Sequence, residues 1–241
     1  MKGVITAGGL GTRLRPLTRI TNKHLLPLYD KPMILYPLET LRRSGIKEIM
    51  IVCGKEHAGH FMNFFGSGKE HGVKLSYALQ DKDNGGIADA LSCAEDFADG
   101  GSVAMILGDN IFEQNFKNAV RKFRSGTAIF LKKVADPRRF GTPVFNRTRT
   151  RILKIIEKSK RPRFPYADVG FYLFDHRIFD IIRTLHPSAR GELEIVDAVN
   201  EYIRKGDYTF EFIKGFWSDA GTISTLLGTS IWAAKRSASE R

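Results

Sequence analysis

Gly3-Val-Ile-Thr-Ala-Gly-Gly-Leu-Gly-Thr-Arg-Leu-Arg-Pro-Leu-Thr18, closing at Lys23, is the stretch from which the fold can be read. Val4 to Ala7 is an apolar run expected to form a short buried strand. It breaks at once into Gly8, Gly9 and Gly11. Glycines at a strand's end let the backbone approach a ligand and turn its N–H groups toward it. Arg13, Arg15, Arg19 and Lys23 bring positive charge to the same place. A strand emptying into such a loop is suited to holding phosphate. Two other phosphate loops are excluded. The dinucleotide pattern G-x-G-x-x-G fails at Leu14, and G-x-x-x-x-G-K-[ST] occurs nowhere.

Working outward, strands and helices alternate. Strands are expected at Glu48–Cys53, Lys74–Leu79 and Ser102–Leu107. Helices are expected at Pro32–Ser44, Glu56–Phe65 and Gly86–Phe97, the first with a kink or a late start at Pro37. The second half is more mixed. It offers a strand at Thr127–Val134, a hairpin of Thr142–Asn146 and Arg151–Glu157, and a strand at Tyr166–Phe174. Helices at His176–Leu185 and Glu192–Arg204, a strand at Tyr208–Ile213 and a helix over 222–236 follow. This pattern predicts an α/β fold, a Rossmann-like three-layer sandwich around a mostly parallel mixed sheet. Ligands in such sheets sit beyond the carboxyl ends of the strands. No repeat or linker interrupts the 241 residues, so a single domain is expected.

Leu107-Gly108-Asp109-Asn110 and Trp217-Ser218-Asp219-Ala220-Gly221-Thr222 each place a carboxylate at a strand's end. Oxygen ligands there can hold a hard cation, which neutralises charge on leaving phosphates. Each aspartate alone reads equally well as a turn residue or a helix cap. Gln80 ends another strand before Gly85-Gly86-Ile87-Ala88, and its amide can match the donor–acceptor edge of a pyrimidine. Glu157-Lys158 could be a solvated pair, and Gly191-Glu192 a helix start. Acyl-transfer and zinc patterns are missing, and His57-Ala-Gly-His60 reads as one helix surface.

Gly8-Gly9-x-Gly11-Thr12-Arg13-Leu14-x-Pro16-Leu17-Thr18, then Lys23-x-Leu25-Leu26-Pro27 and Lys31-Pro32-Met33, resembles the signature of sugar-1-phosphate nucleotidyltransferases. Within them the short-form glucose-1-phosphate thymidylyltransferases are most similar. The resemblance implies transfer of a nucleotidyl group from a nucleoside triphosphate, dTTP first, to a sugar 1-phosphate, glucose 1-phosphate first. Pyrophosphate leaves in a magnesium-dependent in-line displacement. It also implies residue roles. Ala7, Gly8, Gly9, Gly11, Thr12, Arg13, Gln80, Gly86 and Asp109 bind the nucleotide. Asn110, Gly141, Glu157, Lys158, Gly170 and Glu192 bind the sugar phosphate. Arg13, Lys23 and Lys158 are catalytic, and Asp109 and Asp219 hold Mg2+. Residues 1–135 would form mainly the nucleotide half and 136–222 mainly the sugar-phosphate half, with a helix and polar tail over 223–241. Three positions depart from the pattern. His24 stands where glutamine is usual, Asp168 where an apolar residue is common, and Ser218-Asp219-Ala220 where Leu-Asp-Thr is usual. The alternatives are a UTP-dependent uridylyltransferase and a catalytically silent sugar-nucleotide-binding subunit.

The net charge of +12 is dispersed and lacks an aromatic RNA-binding motif, so it suits polyanionic small substrates better than nucleic acid. Apolar content of 42% and charged content of 27% are ordinary for a globular protein. No apolar run reaches bilayer length, and no signal-peptide core precedes Val4. Cys53 and Cys93 read as buried free thiols, which fits a reducing cytoplasm. A cytoplasmic protein without a membrane partner is expected, with homo-oligomer formation left open.

Overall fold

The computed structural model describes residues 1–82 and 84–239. In chain order the strands are β1 (Lys2–Ala7), β2 (Pro27–Leu28), β3 (Lys31–Pro32), β4 (Glu48–Gly54), β5 (Lys74–Gln80), β6 (Val103–Leu107), β7 (Asn110–Phe112), β8 (Thr127–Lys133), β9 (Gly141–Phe145), β10 (Ile152–Glu157), β11 (Tyr166–Phe174), β12 (Tyr208–Phe212) and β13 (Trp217–Asp219). The helices are α1 (Leu35–Arg43), α2 (Ala58–Phe65), α3 (Ile87–Ser92), α4 (Glu95–Ala98), α5 (Lys117–Lys122), α6 (Arg177–Thr184), α7 (Ile195–Lys205) and α8 (Ile223–Ser239). The expected polar tail is helical as far as Ser239, and its last two residues lie outside the described residues.

Seven strands form the main sheet among the described residues, in the order β12-β8-β11-β6-β1-β4-β5. Only β11 runs antiparallel to its neighbours β6 and β8; the other pairings are parallel. Successive residues of a strand face opposite sides, and the two cores follow that rule. Val4, Met50, Met105 and Tyr172 pack with α3, α6 and α7 on one face. Ile5, Ile51, Ile106 and Phe171 pack with α1 and α2 on the other. The expected three layers are therefore present. No described helix is long and apolar enough to cross a membrane.

From β1 the chain builds outward through β4 to β5, then returns to add β6 on the other side of β1. The carboxyl ends of β1 and β6 therefore flank a topological switch point, where such sheets open a crevice. The glycine turn follows β1 and Gly108-Asp109 follows β6, so both motifs emerge there.

Several boundaries differ from the sequence reading. Pro32 belongs to the β2–β3 pair, and α1 starts late, at Leu35. Pro37 is then the helix's third residue, where the backbone N–H has no intrahelical partner to lose. The helix expected over Gly86–Phe97 is broken into α3 and α4 at Cys93-Ala94. Glu192 to Glu194 are not helical, and α7 begins at Ile195. α5 and the β7–β13 pair were not anticipated. Cys53 is buried and Cys93 half-buried, both as free thiols.

One aromatic cluster ties the antiparallel strand to the sheet. Phe171 is fully buried, its ring stacked on Phe116 at 4.1 Å and meeting Phe130 at 5.3 Å. Phe171→Ala is expected to lower unfolding free energy by about 3–5 kcal/mol in urea titrations. A loss under about 1 kcal/mol would mean the cluster does not anchor β11.

Candidate active site

Gly9 and Gly11 have φ of 90° and 58°, the left-handed region that favours glycine. A Cβ on Gly11 would lie 2.9 Å from Thr18 Cγ2 and 3.1 Å from Lys23 Cβ, so the turn closes directly over Lys23. Thr18 Oγ1 donates to the Gly11 carbonyl at 2.8 Å, and Asn22 Nδ2 to the Ala7 carbonyl at 3.2 Å. These bonds fold the basic segment back against the end of β1. A cleft of about 300 Å3 runs beside the turn, lined in part by Gly9, Arg15, Arg19, Lys23, Gln80 and Lys82.

Lys23 Nζ reaches Asp109 Oδ2 at 2.5 Å. Asp109 is 6% exposed. Its Oδ1 accepts from Asn110 Nδ2 at 3.1 Å, and Asn110 Oδ1 accepts from Trp217 Nε1 at 2.7 Å. β13 pairs antiparallel with β7, setting Asp219 opposite Asn110, and the Ala220 N–H donates to the Asp109 carbonyl at 2.9 Å. This short ribbon brings together two carboxylates far apart in sequence. A Cβ on Gly221 would lie 3.2 Å from Arg13 Nη2, 3.4 Å from Asp219 Oδ2 and 3.5 Å from Asp109 Oδ2. Arg13, Asp109 and Asp219 thus converge on one point. Arg139, which the sequence reading did not single out, places Nη2 2.6 Å from Asp219 Oδ2.

The two carboxyls are in different electrostatic states. Burial, the largest influence, would raise Asp109, but Lys23, by charge and by hydrogen bond, together with the other neighbouring groups including Arg13, outweighs it and brings the group down to about 2. Burial, followed by the neighbouring Asp109 charge, pushes Asp219 up to about 6 despite Arg139 and Arg13. Two oxygen donors crowding one point in this way suit a hard divalent cation, which would relieve their repulsion. Among the described residues no third histidine, cysteine or acid joins them.

His24 points away from any base-reading role. It is 1% exposed, with Nδ1 2.7 Å from Asn22 Oδ1. Burial, then Lys23, lowers it to about 3, so the ring is neutral at physiological pH. A Cβ on Gly108 would meet His24 Cδ2 at 2.7 Å, so the ring lies beneath the turn that carries Asp109.

The remaining sequence candidates form a second group. Glu157 Oε1 is 3.6 Å from Lys158 Nζ and 3.7 Å from Arg190 Nη2. Arg190 Nη2 also reaches Glu192 at 3.5 Å and Glu194 at 2.7 Å. Arg190, absent from the sequence reading, is thus the cation at the centre of three glutamates. Gly170, with φ 69°, comes against β6: its Cβ would sit 2.5 Å from Leu107 Cδ1 and 3.4 Å from Asn110 Nδ2. Gly141 lies against Asp168, whose Cβ is 3.3 Å from where a Gly141 Cβ would project. Gly86, φ 91°, needs its bare Cα for packing, since a Cβ would lie 2.7 Å from the Leu193 backbone nitrogen.

A nucleotidyl transferase family model matches residues 2–235. A glucose-1-phosphate thymidylyltransferase from Actinoplanes sp. is 42% identical over 93% of this chain and 75% of its own length. The enzyme of that name from Neisseria meningitidis is 40% identical over 94% and 80%. A Bacillus anthracis crystal structure, assigned to glucose-1-phosphate thymidylyltransferase and holding sucrose, has a TM-score of 0.91 at 45% identity and covers 97% of this chain and 95% of that one. UDP-glucose pyrophosphorylase with UDP-glucose shares the fold, at TM-score 0.86 and 22% identity over 98% of both chains.

Asp168, against which Gly141 packs, gives a pH test of this second group. It is 5% exposed, and burial raises it to about 7 although the Tyr172 hydroxyl donates to Oδ2 at 2.8 Å. The folded state then keeps a proton that the unfolded chain releases near pH 4. Stability should therefore fall as pH rises from about 4 to about 7. Asp168→Asn is expected to flatten that fall and to be more stable than the wild type at pH 8, by on the order of 2–4 kcal/mol. Unfolding curves that run parallel for the two proteins from pH 4 to 8 would refute the assignment.

Proposed function

The chain belongs to the nucleotidyl transferase family, and from that premise we propose that it transfers a thymidylyl group from dTTP to glucose 1-phosphate, with magnesium held by Asp109 and Asp219. The observation that carries this reading is the convergence of Arg13, Asp109 and Asp219 within 3.5 Å of one point, beside the Lys23–Asp109 pair. The resemblance and the relatives' names support the choice of substrates.

A sugar-phosphate oxygen attacks the α-phosphorus and pyrophosphate departs in line. The attacking oxygen is already ionised at neutral pH, so no protein nucleophile or strong base is required. Positioning and charge stabilisation supply the rate. The glycine turn from Ala7 through Gly8, Gly9, Gly11 and Thr12 cradles the triphosphate with its backbone N–H groups. Arg13 holds the β- and γ-phosphates, and Lys23 faces the charge developing on the leaving side. Asp109 and Asp219 would hold the magnesium ion, which would supply neutralisation of charge on the phosphates. Gln80 reads the base, with Gly86 shaping the same turn. Lys158 holds the sugar phosphate, and Glu157, Glu192, Asn110, Gly141 and Gly170 shape the sugar pocket. Residues 1–135 serve mainly the nucleotide, and 136–222 mainly the sugar phosphate.

Arg139 and Lys23 have a further part in this scheme. Each neutralises one carboxylate. Were Asp109 and Asp219 to hold a divalent cation, that cation would supply the neutralising charge, and Lys23 and Arg139 would be free to pair with phosphate oxygens. With His24 sequestered, the side chains around Gln80 favour thymine and uracil alike, so UTP is the nearest competitor.

Pyrophosphate release over a grid of nucleoside triphosphates and sugar 1-phosphates tests the substrates, with dTTP and glucose 1-phosphate expected to give the highest kcat/KM. Arg13→Ala and Asp109→Asn are each expected to lower kcat about 10²–10³-fold, the usual effect of removing one preorganised charge contact. Near-normal turnover in both variants would remove the mechanism, as would full activity in excess chelator.

A further inference from the structure

Gln80 ends β5 beside the glycine turn and is 6% exposed. Its Nε2 donates to the Gly86 carbonyl at 3.0 Å and to Asp89 Oδ2 at 2.8 Å. Both partners can only accept: neither a backbone carbonyl nor a carboxylate has a proton to give. Turning the amide over would set Oε1 against two oxygens, one of them charged, and forfeit both bonds. The amide therefore has one orientation. Its Oε1 faces Gly8, 2.6 Å from where a Cβ on that residue would project. Gln80 also lines the cleft beside the turn. The local chain makes room for the carboxylate that enforces this, since a Cβ on Gly85 would lie 2.5 Å from Asp89 Cγ.

We propose that Asp89 is a positioning residue that sets base specificity by holding Gln80 so that it offers only an acceptor oxygen to the nucleotide base. The base selected is one whose facing ring nitrogen carries hydrogen, the imide of thymine or uracil. Cytosine presents a lone pair at that nitrogen and meets Oε1 with repulsion. His24, which stands where the resembled family usually carries glutamine, is bonded to Asn22 and buried. The proposed discrimination acts through the Gln80 amide, and the amide's direction falls on Asp89. This inference rests on the nucleotide-binding reading above but not on transfer itself.

The decisive pair of nucleotides is dTTP and 5-methyl-dCTP, which share sugar, phosphates and methyl group and differ at N3 and the 4-substituent. Calorimetric dissociation constants for both would be measured on the wild type, Asp89→Asn and Asp89→Ala, with unfolding temperatures alongside. The wild type is expected to prefer dTTP by about 100-fold or more, since the mismatched base leaves a buried polar pair unsatisfied. In Asp89→Asn the side chain can donate as well as accept, so the Gln80 amide can reverse. The preference should drop about tenfold or more at an unchanged unfolding temperature, chiefly by tighter 5-methyl-dCTP binding. A merely structural role would weaken both nucleotides equally and leave the ratio intact. An unchanged ratio in both variants overturns the proposal. So does a wild type that binds the two nucleotides equally, even if it transfers thymidylyl groups. If dTTP is preferred and the variants lose that preference, but pyrophosphate release is absent with every sugar phosphate, the proposal stands and the transfer reading fails.

Discussion

The contact between Lys23 and Asp109 fixes the arrangement of the site. Two carboxylates meet at a sheet's crevice, and burial, followed by the Asp109 charge, pushes one of them, Asp219, up to about 6. The pair is tolerated because cations are threaded in from elsewhere in the chain: Lys23 onto Asp109 and Arg139 onto Asp219, with Arg13 beside both. Removing one partner of a buried pair leaves an uncompensated charge, which costs more than the pair itself contributes. The glycine turn, the end of β6, the approach to β9 and the β13 ribbon are therefore held in mutual register by charge as well as by packing.

That register depends on the sheet. The switch point between β1 and β6 brings the glycine turn and Asp109 side by side. The three-residue β7–β13 ribbon then carries Asp219 in from the far end of the chain. α8 secures the ribbon from outside, with Trp232 stacked on Phe216 at 4.1 Å just before β13 begins. On the other side, Gly170 allows β11 to press close enough for its backbone to approach Leu107 and Asn110. Each glycine in this set replaces a side chain that would otherwise hold two strands apart.

The main strands were legible because buried runs such as Val4–Ala7 and Glu48–Cys53 announce themselves by composition, and the helices by period and end signals. The glycine turn, Asp109 and Gln80 were legible because each sits at the end of such a run, whereas Asp219 was singled out by its motif. What was not legible is long-range. The ribbon strands are three residues each, too short for a period, and their pairing joins positions about a hundred residues apart. Arg139, Arg190 and Asp89 act through partners that only the fold brings near. Arg139 did lie two residues before the candidate Gly141, and Asp89 followed the quoted Ala88, but adjacency to a motif says nothing of where a side chain goes. Pro37 shows the opposite limit. The sequence exposed a conflict, and the fold resolved it by starting the helix late enough for proline to lie in its first turn.

The two halves of the site are also joined directly through backbone. Leu193 donates its N–H to the Gly85 carbonyl at 2.8 Å and accepts from the Ala88 N–H at 3.1 Å. It follows Glu192 and precedes Glu194, both held by Arg190, while Gly85 and Ala88 flank the turn that orients Gln80. Gly86 must lack a side chain for the two segments to close to this distance. The segment that orients Gln80 and the segment that carries the glutamates are thus tied together by backbone hydrogen bonds. The proposed transfer relies on alignment rather than on a protein nucleophile, and such a connection would serve it. The rate of an in-line displacement depends on the distance and angle between two bound substrates, and a backbone bridge between the segments proposed to hold them would limit how far those can vary.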